Sequence, residues 1–155
     1  MHYPKKVTIG DITVRDGYQH EEKFIPTQAK LWMLEQLLLA GFKNIEVTNF
    51  GNPKGMPQFS DADDLFKKIR TSKKVSHLLS EASLTAITIR EKAVERAIQA
   101  KLEGYGTDRI LLMVSTSESH HLKNSGLSLK DYWKIAEAQI KKAHDAGIKV
   151  NGTVS

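Results

Sequence analysis

The segment Ile12-Thr13-Val14-Arg15-Asp16-Gly17-Tyr18-Gln19 places an Arg, an Asp and a Gln at the end of a β-branched, apolar run. Val7, Ile9, Ile12 and Val14 read as a strand that Gly17 stops. Two readings of Arg15 and Asp16 stand side by side. One is a simple ion pair. The other is chemical: Asp16 ligates a metal, and Arg15 stabilises developing negative charge. A second group follows at Glu46 and Thr48. Side chains alternate along a strand, so these two share a face, with Ile45 and Val47 packing outward. An inward Glu46 needs a cation or hydrogen-bond donors, and Arg15 on the neighbouring strand is its expected partner. A third group is the polar run Ser115 to His121, which includes Ser117 and stands where a strand end meets ligand. The adjacent His120 and His121 read as solvated loop residues rather than a metal pair. His20 reads the same way, and His77 and His144 as ordinary surface residues.

These groups need elements to position them. The first strand is expected over Val7 to Val14. A helix over Thr27 to Ala40 carries Leu31, Leu34, Leu37 and Leu38 on one face and ends at Gly41. A second strand covers Asn44 to Thr48, and a Gly/Pro-rich loop runs from Gly51 to Pro57. Capping-box spacings at Ser60/Asp63, Thr88/Glu91 and Ser128/Asp131 each open a helix. The later helices are expected near Arg90 to Glu103 and Leu129 to Ala146. Further strands are expected at Leu84 to Ile87, Arg109 to Val114 and Ile148 to Val154. Ser76 to Ser83 fits either a helical turn or a loop.

The alternation of β and α implies right-handed crossovers and a parallel sheet. An open doubly wound sheet and a TIM-type barrel both satisfy it. The lack of a Gly-x-Gly-x-x-Gly or Walker loop weighs against the nucleotide-binding open sheet. In both architectures, functional residues sit where strands end. A full eight-stranded barrel takes roughly 250 residues. Residues 1–155 therefore read as a partial barrel, about four βα units plus a fifth strand.

With 155 residues the chain is long enough for a real core. It contains no cysteine, which excludes disulfides and thiolate chemistry within it. The net charge of +5 is spread through helices, as in Lys67, Lys68, Arg70, Lys73, Lys74, Lys141 and Lys142. That distribution reads as solvated helix faces, so no nucleic-acid partner is expected. No apolar run has membrane length, and Met1 to Lys6 leads straight into the first strand, so neither a membrane span nor a leader is expected. The cytoplasm is the expected compartment.

Asp11-x-Thr13-x-Arg15-Asp16-Gly17-x-Gln19 resembles the opening signature of the DRE-TIM metallolyases, the HMGL-like or pyruvate carboxyltransferase barrels. Ile45-Glu46-Val47-Thr48-Asn49-Phe50, Pro53-Lys54, Pro57-Gln58 and Asp61 resemble the hydroxymethylglutaryl-CoA lyase branch, which usually has Ser in place of Asn49. Ser117-Glu118, Asn124 and Val150 to Ser155 resemble its later blocks. The resemblance implies the first half of a TIM (β/α)8 barrel, truncated after the fifth strand. It further implies a divalent-metal-dependent carbon–carbon lyase that cleaves a 3-hydroxy-3-methylglutaryl-CoA-like acyl-CoA through an enolate.

The roles it implies are Asp16 as a ligand to Mg²⁺ or Mn²⁺, Arg15 on the enolate oxygen, and Glu46 holding the Arg15/Asp16 region. Gln19, Thr48 and Ser117 are then expected to line the substrate site. The family's His-x-His pair and further Asn are expected beyond Ser155, so metal binding and turnover by this chain alone are not expected. Two alternatives remain open. One is a condensing synthase that joins an acyl-CoA to a 2-oxo acid. The other is a non-catalytic half-barrel that completes its fold as a homo-oligomer or with a separate C-terminal half.

Overall fold

The computed structural model describes residues 3–155, so Met1 and His2 of the expected lead-in lie outside the described residues. Among the described residues, five parallel strands form one sheet in the order β1-β2-β3-β4-β5. The strands are β1 (Gly10–Asp11), β2 (Asn44–Asn49), β3 (Ser83–Ile87), β4 (Arg109–Val114) and β5 (Lys149–Val154). The helices between them are α1 (Thr27–Leu39), α2 (Ala62–Thr71), α3 (Glu91–Leu102), α4 (Glu118–Ser125) and α5 (Leu129–Asp145). Each strand pairs with its predecessor in sequence. A doubly wound sheet reverses its strand order at a switch point, and this sheet does not. The architecture is a curled half-barrel.

The core lies between the sheet and the helices. Leu34 and Leu38 of α1 join Leu65, Phe66 and Ile69 of α2 over Ile45, Leu84 and Ile110 of the sheet. Phe50 stacks on Phe66 with ring centroids 5.6 Å apart. On α3 the buried positions are small, Ala93, Ala97 and Ala100 beside Val94, so this helix packs close. Gly41, at φ 93°, follows α1 in the left-handed region that glycine enters without penalty. At Gly106 a Cβ would stand 2.3 Å from the Lys101 backbone nitrogen, so only glycine fits beneath the end of α3.

Several local expectations fail for identifiable reasons. The first strand is only two residues long, and Val7 and Ile9 are exposed. The Asp11 carboxylate accepts from the Thr13 backbone N–H at 2.9 Å and from its hydroxyl at 3.1 Å. That local bonding turns the chain out of the sheet and into a π-helical turn over Thr13–Gly17. Neither Ser60/Asp63 nor Thr88/Glu91 forms a capping box. Asp61 and Arg90 occupy the N-cap positions of α2 and α3, without side-chain capping bonds. Asp63 instead binds Arg96, with Nε at 2.9 Å. Ser128 and Asp131 do cap α5, through the Asp131 N–H to the Ser128 hydroxyl at 3.1 Å. Ser76 to Glu81 resolves as a series of turns, and Ser83 already opens β3. The helix α4 was not expected. It begins where Ser117 caps its first turn.

Lys30 is buried to 1% exposure, although lysine is among the residues least often found inside. Its ammonium bonds the Gln58 carbonyl and the Asp61 carboxylate, the latter at 2.9 Å, and lies 4.4 Å from the Phe24 ring centroid. Asp61 also accepts from the Thr27 hydroxyl at 2.8 Å. The Gln58 amide donates to the carbonyls of Glu21 (2.8 Å) and Lys23 (2.6 Å) and accepts from Ile25 N–H at 3.1 Å. This network fixes the loop after the π-helical turn against the start of α2.

Glu35 of α1 is also buried, on the helix face it shares with Leu31 and Leu38. Burial works to raise its carboxyl, but the Ser72 hydroxyl and the Lys74 ammonium outweigh it and hold the group below its ordinary value. A lowered carboxyl contributes stability above the usual carboxylate range, and that contribution is lost as pH falls through its own value.

Two outcomes follow. Lys30→Met leaves Asp61 without its cation and lowers the unfolding free energy by about 3–5 kcal/mol, measured by urea denaturation. Glu35→Gln flattens the acid limb of the stability–pH curve, measured as the denaturation midpoint between neutral pH and the unfolding region. An unchanged acid limb refutes the Glu35 assignment.

Candidate functional site

The π-helical turn throws Arg15, Asp16 and Gln19 onto the C-terminal end of the sheet. Val14 anchors the turn in the core at 0% exposure, and the N–H groups of Arg15 and Asp16 both bond the Ile12 carbonyl, at 3.1 and 2.7 Å. Tyr18 packs beside the core. Burial, with the Asp11 charge second, raises its phenol above the ordinary value and keeps it protonated.

Arg15 and Glu46 meet as the spacing predicts. The Arg15 Nε donates to Glu46 Oε2 at 2.7 Å, and one terminal nitrogen reaches the same oxygen. The other terminal nitrogen lies 2.5 Å from Asp16 Oδ1. The side chains of Arg15 and Glu46 are 12% and 16% exposed, while that of Asp16 is 48% exposed. One guanidinium therefore orders two carboxylates, and the second of them faces outward.

The strand β2 does not keep strict alternation. Glu46 pairs with Thr85, but Thr48 pairs with Ala86 and Asn49 with Ile87, so Val47 is an extra residue in a bulge. The slip turns Thr48 to the face opposite Glu46. Its hydroxyl is buried without a partner, and Asn49 takes the inward place instead. A bulge of this kind leaves no signal in residue types, so alternation gives the wrong member of the pair.

Arg15, Asp16, Gln19 and Asn49 line one side of a cavity of about 330 Å³. Ile87, Ile89, Met56 and Met113 add apolar wall, and Ser115, His121, Asn124, Ser125 and Ser155 close the other side. Ser117 does not reach it. Its hydroxyl accepts from His120 N–H at 3.4 Å as the α4 cap and pairs with the Ser119 hydroxyl. Ser115, two residues earlier, is the serine of that loop that lines the cavity.

His120 is exposed, as expected, and its ring bridges Ser115 Oγ (2.8 Å) and the Asn124 amide (3.0 Å). His121 corrects the solvated reading: it is buried to 2%, packed edge-on against Tyr132 with centroids 4.7 Å apart. The formation of α4 is what turns it inward.

The residues at the strand ends are oxygen-rich, and the Asp16 carboxylate is the hard donor that points outward. Among the described residues, no three His, Cys, Asp or Glu side chains cluster as a metal cage. The donor type suits Mg²⁺ or Mn²⁺, but the number falls short of the roughly six ligands such an ion takes. No helix among the described residues is long and apolar enough to cross a membrane.

Known proteins resemble this chain in sequence and fold. A hydroxymethylglutaryl-CoA lyase of Bacillus subtilis, YngG, is 33% identical over 155 residues, covering 100% of this chain and 48% of the relative. The human mitochondrial hydroxymethylglutaryl-CoA lyase is 30% identical over 98% of this chain and 43% of its own length. The crystal structure of the Bacillus subtilis HMG-CoA lyase superposes with a TM-score of 0.84, at 30% identity, over 99% of this chain and 48% of that one. That of Pseudomonas aeruginosa gives 0.82 at 26% identity, over 97% and 46%. The chain thus spans somewhat less than half the length of the relatives it matches. The HMGL-like family model matches residues 6–155, and the chain belongs to the HMGL-like family.

Proposed function

We propose that this chain supplies the Arg15–Asp16–Glu46 corner of a divalent-metal-dependent carbon–carbon lyase acting on a 3-hydroxy-3-methylglutaryl-CoA-like thioester. The observation that carries the reading is the nearly buried guanidinium of Arg15, clamped by Glu46 at the mouth of a cavity. Two bonds to one Glu46 oxygen fix its plane, so its charge stands ready before substrate arrives.

Cleavage of a 3-hydroxy acyl thioester removes the hydroxyl proton and breaks the bond between the alkoxide carbon and the thioester α-carbon. The alkoxide carbon becomes a carbonyl, the electron pair of the broken bond passes to the thioester as an enolate, and a proton taken up at its α-carbon gives the released acyl thioester. Arg15 faces the charge that forms there, and a preorganised donor is worth most where water is excluded. Glu46 acts through Arg15 by holding it, and Gln19 orients the substrate from the cavity wall. Asp16 presents the carboxylate that a divalent ion requires; such an ion supplies polarisation of the substrate hydroxyl. The remaining ligands belong to a C-terminal half of the barrel, which also covers the open edges of the sheet at β1 and β5.

The test has two arms. The isolated chain, supplied with Mg²⁺ and hydroxymethylglutaryl-CoA, releases no acetyl-CoA; metal-dependent turnover by it overturns the reading. A chimera joins residues 1–155 to the remaining barrel of the Bacillus subtilis lyase and is expected to cleave the thioester. In that chimera Arg15→Gln lowers kcat by about 10²–10³-fold. Glu46→Gln lowers it less, because Arg15 stays charged but loses its clamp. A folded chimera in which Arg15→Gln leaves kcat intact refutes the role of the guanidinium.

A further inference from the structure

The cavity beside Arg15 adjoins a second one, of about 340 Å³, and the two share Gln19 and Met56 in their walls. The second cavity lies between the loop that follows the π-helical turn and the Gly55–Phe59 segment. Phe24, Met56, Pro57 and Phe59 give it apolar surface. No Lys or Arg lines it; its titratable side chains are His20, Glu21 and Glu22, and the buried Lys30 ammonium lies behind the wall, against Phe24 and the Gln58 carbonyl. An alkyl chain gains by leaving water against the apolar part of this wall. Gln58 offers no free amide to a polar guest, because its side chain is committed to Glu21, Lys23 and Ile25.

Met56 stands in the wall of both spaces. Its sulfur accepts from the Asn49 amide at 3.1 Å, and Asn49 Oδ1 accepts from Gly51 N–H at 2.7 Å. A Cβ at Gly51 would stand 2.8 Å from that oxygen, so the glycine keeps the amide in place. This shared wall residue is an unbranched thioether, a side chain well able to yield to a guest of varying shape. The first cavity has the cation, Arg15, and suits a polar head. The second suits what is attached to it.

We propose that the second cavity is a subsite for an alkyl substituent of the acyl group, and that Met56 sets how long a chain the Arg15 site accepts. The substrate class is then 3-hydroxy acids, as thioesters, that carry an alkyl arm of several carbons. This inference rests on the reading of the first cavity as the substrate site.

The experiment uses the full chain with ¹³C-methyl methionine, in the presence of Mg²⁺. Met113 reports the first cavity, Met56 the wall shared by the two, and Met33, packed against the core, is the reference. The probes are free 3-hydroxybutanoate and 3-hydroxyoctanoate, which carry no pantetheine arm, and coenzyme A alone. Both acids are expected to shift Met113. The octanoate is expected to shift Met56 as well and to bind on the order of tenfold tighter or more, from four additional buried methylenes.

Met56→Trp, which puts a bulkier side chain where the two cavities meet, brings the affinity ratio close to one, and Met56→Leu, which keeps the volume, retains it. Equal affinities for the two acids in the unmodified chain overturn the subsite whatever the variants do. So does a Met56 shift produced by coenzyme A alone, which assigns the space to the pantetheine arm. A silent Met113 with both acids overturns the substrate-site reading itself, and the subsite with it.

Discussion

The arrangement of the strand ends depends on one guanidinium. Arg15 is covered by protein on most sides, and a buried charge is tolerable only when it is paired and hydrogen-bonded. Glu46 meets that demand from β2 and Asp16 from the same turn. The pairing therefore reinforces the join between the first two βα units of the sheet, where β1 contributes only a two-residue ladder. It also leaves Asp16 half exposed, held at one oxygen with the carboxylate facing outward. Structural and chemical readings of the ion pair do not compete here, because the same contacts order the sheet edge and preorganise the charge.

A second buried cation does for the loops what Arg15 does for the strands. Lys30 ties the Gln58 backbone and Asp61 together inside the protein, and Gln58 in turn gathers three backbone groups from the segment Glu21 to Ile25. Loops over a functional face tend to be mobile, since their backbone bonds are exposed to water. Here the polar groups that would otherwise exchange with water are satisfied internally. The walls of both cavities thus rest on packed, bonded structure.

Much of the fold was legible in residue types. The leucine face of α1, the β-branched runs of β2 to β4 and the Ser128–Asp131 cap all read correctly, because each expresses a local preference that the tertiary structure also favours. The failures share a cause. Asp11 used its side chain on Thr13 and ended the first strand early. Asp63 left its helix terminus for Arg96, since an ion pair across elements outweighed a local cap. Ser117 took a capping role, and Ser115 went to the cavity.

The sequence by itself determined the chemistry at hand: the Arg15–Asp16–Gln19 spacing, the inward Glu46, the βα alternation and the family they belong to. These are properties of neighbouring residues and of strand and helix periods. The tertiary structure alone decided which side chains share the cavity. The Val47 bulge exchanged Thr48 for Asn49, because one extra residue in a strand reverses every face that follows it. The packing of α4 against α5 turned His121 inward, and the Lys30 network built a second cavity beside the first. Each of these depends on a partner in another element, from 11 residues away for His121 and Tyr132 to 31 for Lys30 and Asp61, or on a register set by a neighbouring strand, and no local pattern records such a contact.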